Sequence, residues 1–93
     1  MNKLELVMMH NELWELPTHV TVTRLMEQCR NDDDIERLTP SHSVKVAHDR
    51  ASPKIVEFLK KSPAKFTFGV EPDGDVFNFW SAREAVKFKL AFG

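Results

Sequence analysis

Val22, Leu25, Met26 and Cys29 fall at i, i+3, i+4 and i+7, the spacing of one apolar stripe on an amphipathic helix. With Thr18 or Thr21 as its cap, this stripe predicts a helix over about residues 19–30. Asn31 and the acidic run Asp32, Asp33 and Asp34 break it. The same carboxylates suit the positive end of a second short helix carrying Ile35 and Leu38, closed by Thr39 and Pro40. A further stripe, Ile55, Val56 and Leu59, follows Ser52 and Pro53. A capping hydroxyl followed by a residue whose missing N–H does no harm in the first turn predicts a helix over about 53–61, stopped by Ser62 and Pro63.

Other stretches alternate. Ser43 to His48 carries Val44 and Val46 on one side and reads as a short strand. Lys65–Val70 and Val76–Trp80 flank Glu71-Pro72-Asp73-Gly74-Asp75. Pro and Asp at the centre of a turn, followed by a left-handed Gly, predict a hairpin with a three-residue loop and a bulge. In that register Val70 faces Val76, Phe68 faces Asn78 and Phe66 faces Trp80. Phe66, Phe68, Val70, Val76 and Trp80 then share one face, with Phe77 and Phe79 on the other. Ser81-Ala82-Arg83-Glu84 has the S-x-x-E form of a capping box, which predicts a last helix from Ala82 to about residue 90 with Ala85, Val86, Phe88 and Phe92 inward. Val86 to Phe92 also alternates like a strand.

The N-terminal segment fits two templates. Leu4, Leu6 and Met8 suit one face of a strand, whereas Leu6, Met9, Leu13 and Leu16 keep helical spacing. The short run favours two short strands turning at His10, Asn11 and Glu12, with Pro17 ending the segment. Together these elements predict an α+β fold in which a small antiparallel sheet, centred on a β-hairpin at about 65–80, carries two to four packed helices in a single domain spanning 1–93.

Composition narrows the class of function. A chain of 93 residues, 42% hydrophobic and 29% charged, is long enough for one folded domain and unlike a disordered tail. The net charge of −1 removes any global attraction to nucleic acid or to an anionic membrane. No run approaches the roughly 20 apolar residues of a membrane span, the N-terminus lacks the pattern of a signal peptide, and the single cysteine excludes an internal disulfide. A cytoplasmic location is expected. The charge is uneven, however: residues 1–40 hold four Lys and Arg against eight Asp and Glu, and residues 41–93 hold nine against six. These halves either attract each other within the fold or present a polar surface to a charged partner.

Candidate chemistry is sparse. His10, His19, His42 and His48 lack close ligand spacing and there is no cysteine pair, so neither a metal nor any other cofactor is expected. Cys29 on its apolar stripe reads as a buried small hydrophobe. The run Asp32, Asp33 and Asp34 lacks the alternating ligands and glycine of a calcium loop. No nucleophile with a base or pair of poised carboxylates emerges, which predicts a protein that is not an enzyme. Catalysis would require scattered groups such as His19, His48, Asp49 and Asp75 to converge in the fold.

Residues 77–93, Phe77-Asn78-Phe79-Trp80-Ser81-Ala82-Arg83-Glu84-Ala85-Val86-Lys87-Phe88-Lys89-Leu90-Ala91-Phe92-Gly93, resemble the C-terminal ends of small uncharacterised proteins of tailed bacteriophages. In those, an aromatic strand runs into a helix with a Phe-Lys-Leu-x-aromatic-Gly finish. The resemblance implies a viral source and no activity. The expected function is accordingly a small protein-binding or accessory module acting on a host or viral protein, with Glu12, Trp14, Asp32, Asp33 and Asp34 as the partner-binding residues and self-association as a variant. The alternative is nucleic-acid binding through Lys54, Lys60, Lys61, Lys65, Lys87 and Lys89, with Phe and Trp interleaved.

Overall fold

The computed structural model describes residues 2–93. Five helices and three strands follow in the order α1 (Lys3–Trp14), α2 (Val22–Gln28), α3 (Asp32–Leu38), β1 (His42–Ala47), α4 (Lys54–Lys61), β2 (Phe66–Glu71), β3 (Gly74–Phe79) and α5 (Ala82–Phe92). The strands form one antiparallel sheet in the order β1-β3-β2, so the fold is α+β as expected.

The fifth helix is the N-terminal segment, which is α1 and not a pair of strands. Asn2 caps it, accepting from the Glu5 N–H at 2.8 Å while the Glu5 carboxylate reaches back to the Asn2 N–H. This reciprocal cap satisfies two orphan donors and fixes the helix start. Met9 and Leu13 are buried on one face, while Leu4, Val7 and Met8 lie exposed on the other. A helix apolar on both sides has no clear period, which is why its spacing fits two templates.

The helix expected at 19–30 begins three residues later. Thr18 and Val20 are engaged with the edge of β2: Phe66 donates its N–H to the Thr18 carbonyl at 3.1 Å, and Val20 donates to the Phe66 carbonyl at 2.8 Å. Thr21 is the N-cap of α2, accepting from the Arg24 N–H. Its apolar stripe is not core: Val22 and Met26 are 64% and 68% exposed, Leu25 is half-buried, and the half-buried Cys29 donates its S–H to the Leu25 carbonyl. In α3, Asn31 is the cap and the three aspartates occupy the first turn as expected. In α4, Ser52 accepts from the Lys54 N–H, Pro53 heads the helix, and Ile55, Val56 and Leu59 are buried.

The hairpin forms at the expected place with its register slipped by one. Glu71 pairs with Gly74, leaving Pro72 and Asp73 as a two-residue loop, and Phe68 pairs with Phe77 and Phe66 with Phe79. A one-residue slip exchanges the faces of a strand, and here it gathers Phe66, Phe68, Phe77 and Phe79 on one fully buried side. Gly74 is not left-handed. It is required by close approach, because a Cβ there would lie 2.7 Å from the Val46 carbonyl oxygen. Lys45 of β1 reinforces the turn, reaching Glu71 at 2.9 Å and Asp73 at 2.8 Å. The ion pair holds the Lys45 ammonium above and the Asp73 carboxyl below their usual ranges.

Val44 and Val46 extend the phenylalanine face into β1. Helix α5 covers it with Phe88, whose ring centroid is 4.7 Å from that of Phe77 and 5.4 Å from that of Phe79. Phe58 of α4 packs on Phe88, and α1 closes the layer beside α4. Ala85 and Phe88 point inward as expected, Phe92 is partly buried, but Val86 is 57% exposed. The capping box of α5 is half made: Ser81 accepts from the Glu84 N–H, while the Glu84 carboxylate takes a hydrogen bond from Ser62. The opposite sheet face carries Ser43, Asn78 and Thr67 in one hydrogen-bonded row and no aromatic residue. No helix among the described residues is long and apolar enough to cross a membrane.

His19, bridged to Phe66, is buried beside Phe66 and the edge of Trp14. Desolvation pushes its imidazole below the usual histidine range, against a smaller opposing effect of the hydrogen bond to the Trp14 backbone. Below about pH 6.5 the unfolded chain takes a proton at this residue that the folded chain resists, so the His19 contribution is complete above that pH and falls as the pH falls. Urea unfolding at pH 7.5 and 5.5 is expected to show a smaller loss of stability in His19→Gln than in the wild type. An equal or larger loss in the variant would contradict the assignment.

Candidate functional site

A groove of about 480 Å³ opens where α2 and α3 meet the end of β3. Trp80, one residue beyond β3, lines it with Val20, Leu25 and Leu38. The expected register placed Trp80 on one hairpin face with Phe66 and Phe68; the register slip and the end of the strand separate it from them and leave it half-buried, with its indole N–H donated to the Leu38 carbonyl at 2.9 Å. That bond ties α3 to the sheet and holds the ring in position. The charged residues lining the groove are Arg24 and Lys65, and neither forms an ion pair among the described residues. Val22 and Met26 of α2 and Ile35 of α3 are exposed on the same helix pair.

A second cavity of about 810 Å³ lies between the C-terminal end of α1 and α4, with Glu12, Glu15 and Lys60 in its walls beside the apolar Leu16, Pro17 and Leu59. The buried Thr18 hydroxyl has no hydrogen-bond partner among the described residues.

The third feature is a cluster that spacing does not reveal. Asp75, at the end of the phenylalanine face, is wholly buried. Its Oδ2 lies 3.0 Å from His10 Nε2 of α1, and its Oδ1 lies 3.3 Å from His48 Nε2 just after β1. Residues 65 and 27 positions away in the chain thus meet one carboxylate. His48 and Asp75 are two of the groups whose convergence catalysis would need, but the third is His10, while His19 sits apart against Phe66 and Asp49 is exposed. The two imidazoles take opposite oxygens, so the carboxylate is satisfied as an acceptor. No three His, Cys, Asp or Glu among the described residues are placed to hold a metal ion, and no hydroxyl or thiol hydrogen-bonds to the cluster.

The residues expected to bind a partner are dispersed. Glu12 and Trp14 are exposed on α1, with Trp14 edge-on to His19 and Phe68. Asp32, Asp33 and Asp34 start α3, where Asp34 is engaged by the Arg30 N–H and by the Arg37 guanidinium at 2.7 Å. Of the lysines, Lys54, Lys60 and Lys61 lie on α4 and Lys87 and Lys89 on the adjacent α5, with Lys87 3.6 Å from Glu84. Lys65 stands apart from them in the groove. The aromatic rings between α4, α5 and the sheet belong to the core, where Phe66, Phe68, Phe77, Phe79 and Phe88 are buried. Sequence reasoning missed the groove; the half-buried Leu25 with Arg24 beside an indole 55 residues away has no local signature.

Comparison with protein-family models, with curated proteins and with solved structures finds no match to this chain.

Proposed function

We propose that this protein is a small non-enzymatic protein-binding module that docks a partner in the Trp80 groove. The observation that carries this reading is the groove itself: a mainly apolar concavity, opened by a tryptophan fixed through its N–H, beside exposed Val22, Met26 and Ile35. Exposed apolar surface with a polar rim is costly to leave uncovered and marks interaction sites, and tryptophan is among the residues that dominate binding energy in such places. The likeness of residues 77–93 to phage proteins supports a host or viral protein in the cytoplasm as the partner.

Affinity capture from a lysate of the cognate host, run with wild type and Leu25→Asp side by side, tests the reading. The wild type is expected to retain a partner that Leu25→Asp loses while keeping its circular dichroism spectrum. Recovery of background alone, or equal recovery by the variant, counts against it. Nucleic-acid binding is the competing reading. Single-strand binders stack bases on exposed rings along a basic track, and here most of the phenylalanines are core.

A further inference from the structure

We infer that the partner segment presents a bulky apolar side chain flanked by carboxylates. This rests on the groove being the docking site and follows from its charge. Arg24 and Lys65 are the charged residues of its lining, no carboxylate joins them, and neither cation is neutralised by an ion pair among the described residues. Both therefore bring a cation without a close ion-pair partner to a surface whose other walls are mainly apolar, with Val20, Leu25, Leu38 and Trp80 beside the polar Gln28 and Ser81.

Two consequences follow from chemistry. An apolar side chain entering beside Trp80 removes the exposed indole and leucine surface from water, which supplies affinity. A carboxylate on the same segment meets the guanidinium in the paired geometry that suits Arg, and the Lys65 ammonium as a second point charge. A basic segment of the same shape would bring like charge against both residues. Complementarity of this kind sets specificity more than raw affinity. The groove is partly open to solvent, so a side chain can occupy it while the flanking residues of its segment stay outside.

Trp80 is one of two tryptophans, so Trp14→Phe, which lies outside the groove, makes it the sole fluorescent reporter. Three blocked nine-residue peptides with a central Phe, flanked by Glu, Gln or Lys, are titrated into this variant up to about 1 mM, alongside a single-stranded oligonucleotide. The Glu peptide is expected to bind about tenfold or more tightly than the Gln peptide and the Lys peptide more weakly still, with the Glu preference shrinking as salt screens it. Arg24→Glu/Lys65→Glu is expected to reverse the order. Binding that ignores flank charge, or an order unchanged by the double reversal, overturns the inference and leaves the groove as a docking site. Failure of all three peptides to bind removes the groove reading itself, and preferential binding of the oligonucleotide overturns both in favour of nucleic acid.

Discussion

Phe88→Ala is expected to cost about 3–5 kcal/mol, the range for deleting a buried phenylalanine ring. The ring is wholly buried, and it touches the sheet and two helices: Phe77 and Phe79 of β3, Phe58 of α4 and Phe92 of its own helix, with centroids between 4.7 and 5.8 Å. Removal therefore empties the junction of the sheet with two helices, where relaxation from one side cannot refill the space. A domain of this size has roughly 5–15 kcal/mol of stability in total, so the melting temperature is expected to fall by about 15–30 °C. Val86, two residues away and exposed, supplies the control: Val86→Ala is expected to stay within about 0.5 kcal/mol of wild type. Thermal unfolding followed by circular dichroism checks both. A Phe88→Ala variant that melts with the wild type would show that α5 does not pack on the sheet through this ring.

The contrast between these neighbours shows what the sequence discloses. Elements with a local signal were legible: α4 from Ser52, Pro53 and its stripe, α3 from Asn31 and its aspartates, α5 from Ser81, and the hairpin from Pro72 to Gly74. Local spacing does not tell which apolar stripe is covered, so Val22 and Met26 looked like core and are exposed. For α1 the informative signal was the cap, Asn2 with Glu5 three residues on, because a helix with apolar residues on both sides has little periodicity to read. Hairpin register depended on whether Gly74 serves the turn or the approach to Val46, a contact with another strand. The groove and the Asp75 cluster were illegible for the same reason. Each is assembled from residues tens of positions apart, Trp80 with Leu38 and Asp75 with His10 and His48.

That cluster yields the second large effect, and its size depends on which side of the hydrogen bonds is removed. Asp75 is wholly buried and sits between Val46 and Val70 in the sheet, its cross-strand neighbours, while the imidazoles of His10 and His48 are partly open to water. Taking away both histidines strands a carboxylate with no route to solvent; taking away the carboxylate leaves two groups that water can reach. His10→Leu/His48→Leu, which fills the lost volume, is therefore expected to cost about 3–5 kcal/mol, the penalty for leaving one member of a buried pair uncompensated. Asp75→Val alone places a third valine in a row of valines and costs about 1–2 kcal/mol, chiefly through the lost partners of the partly exposed rings. Combined, the three substitutions remove every group that needed a partner, so the triple variant is expected to recover most of what the double variant loses. Urea unfolding of the four proteins closes the thermodynamic cycle. A triple variant no more stable than His10→Leu/His48→Leu would mean that Asp75 is not the group those histidines satisfy, and that α1 is held to the sheet by apolar packing such as that of Met9 and Leu13.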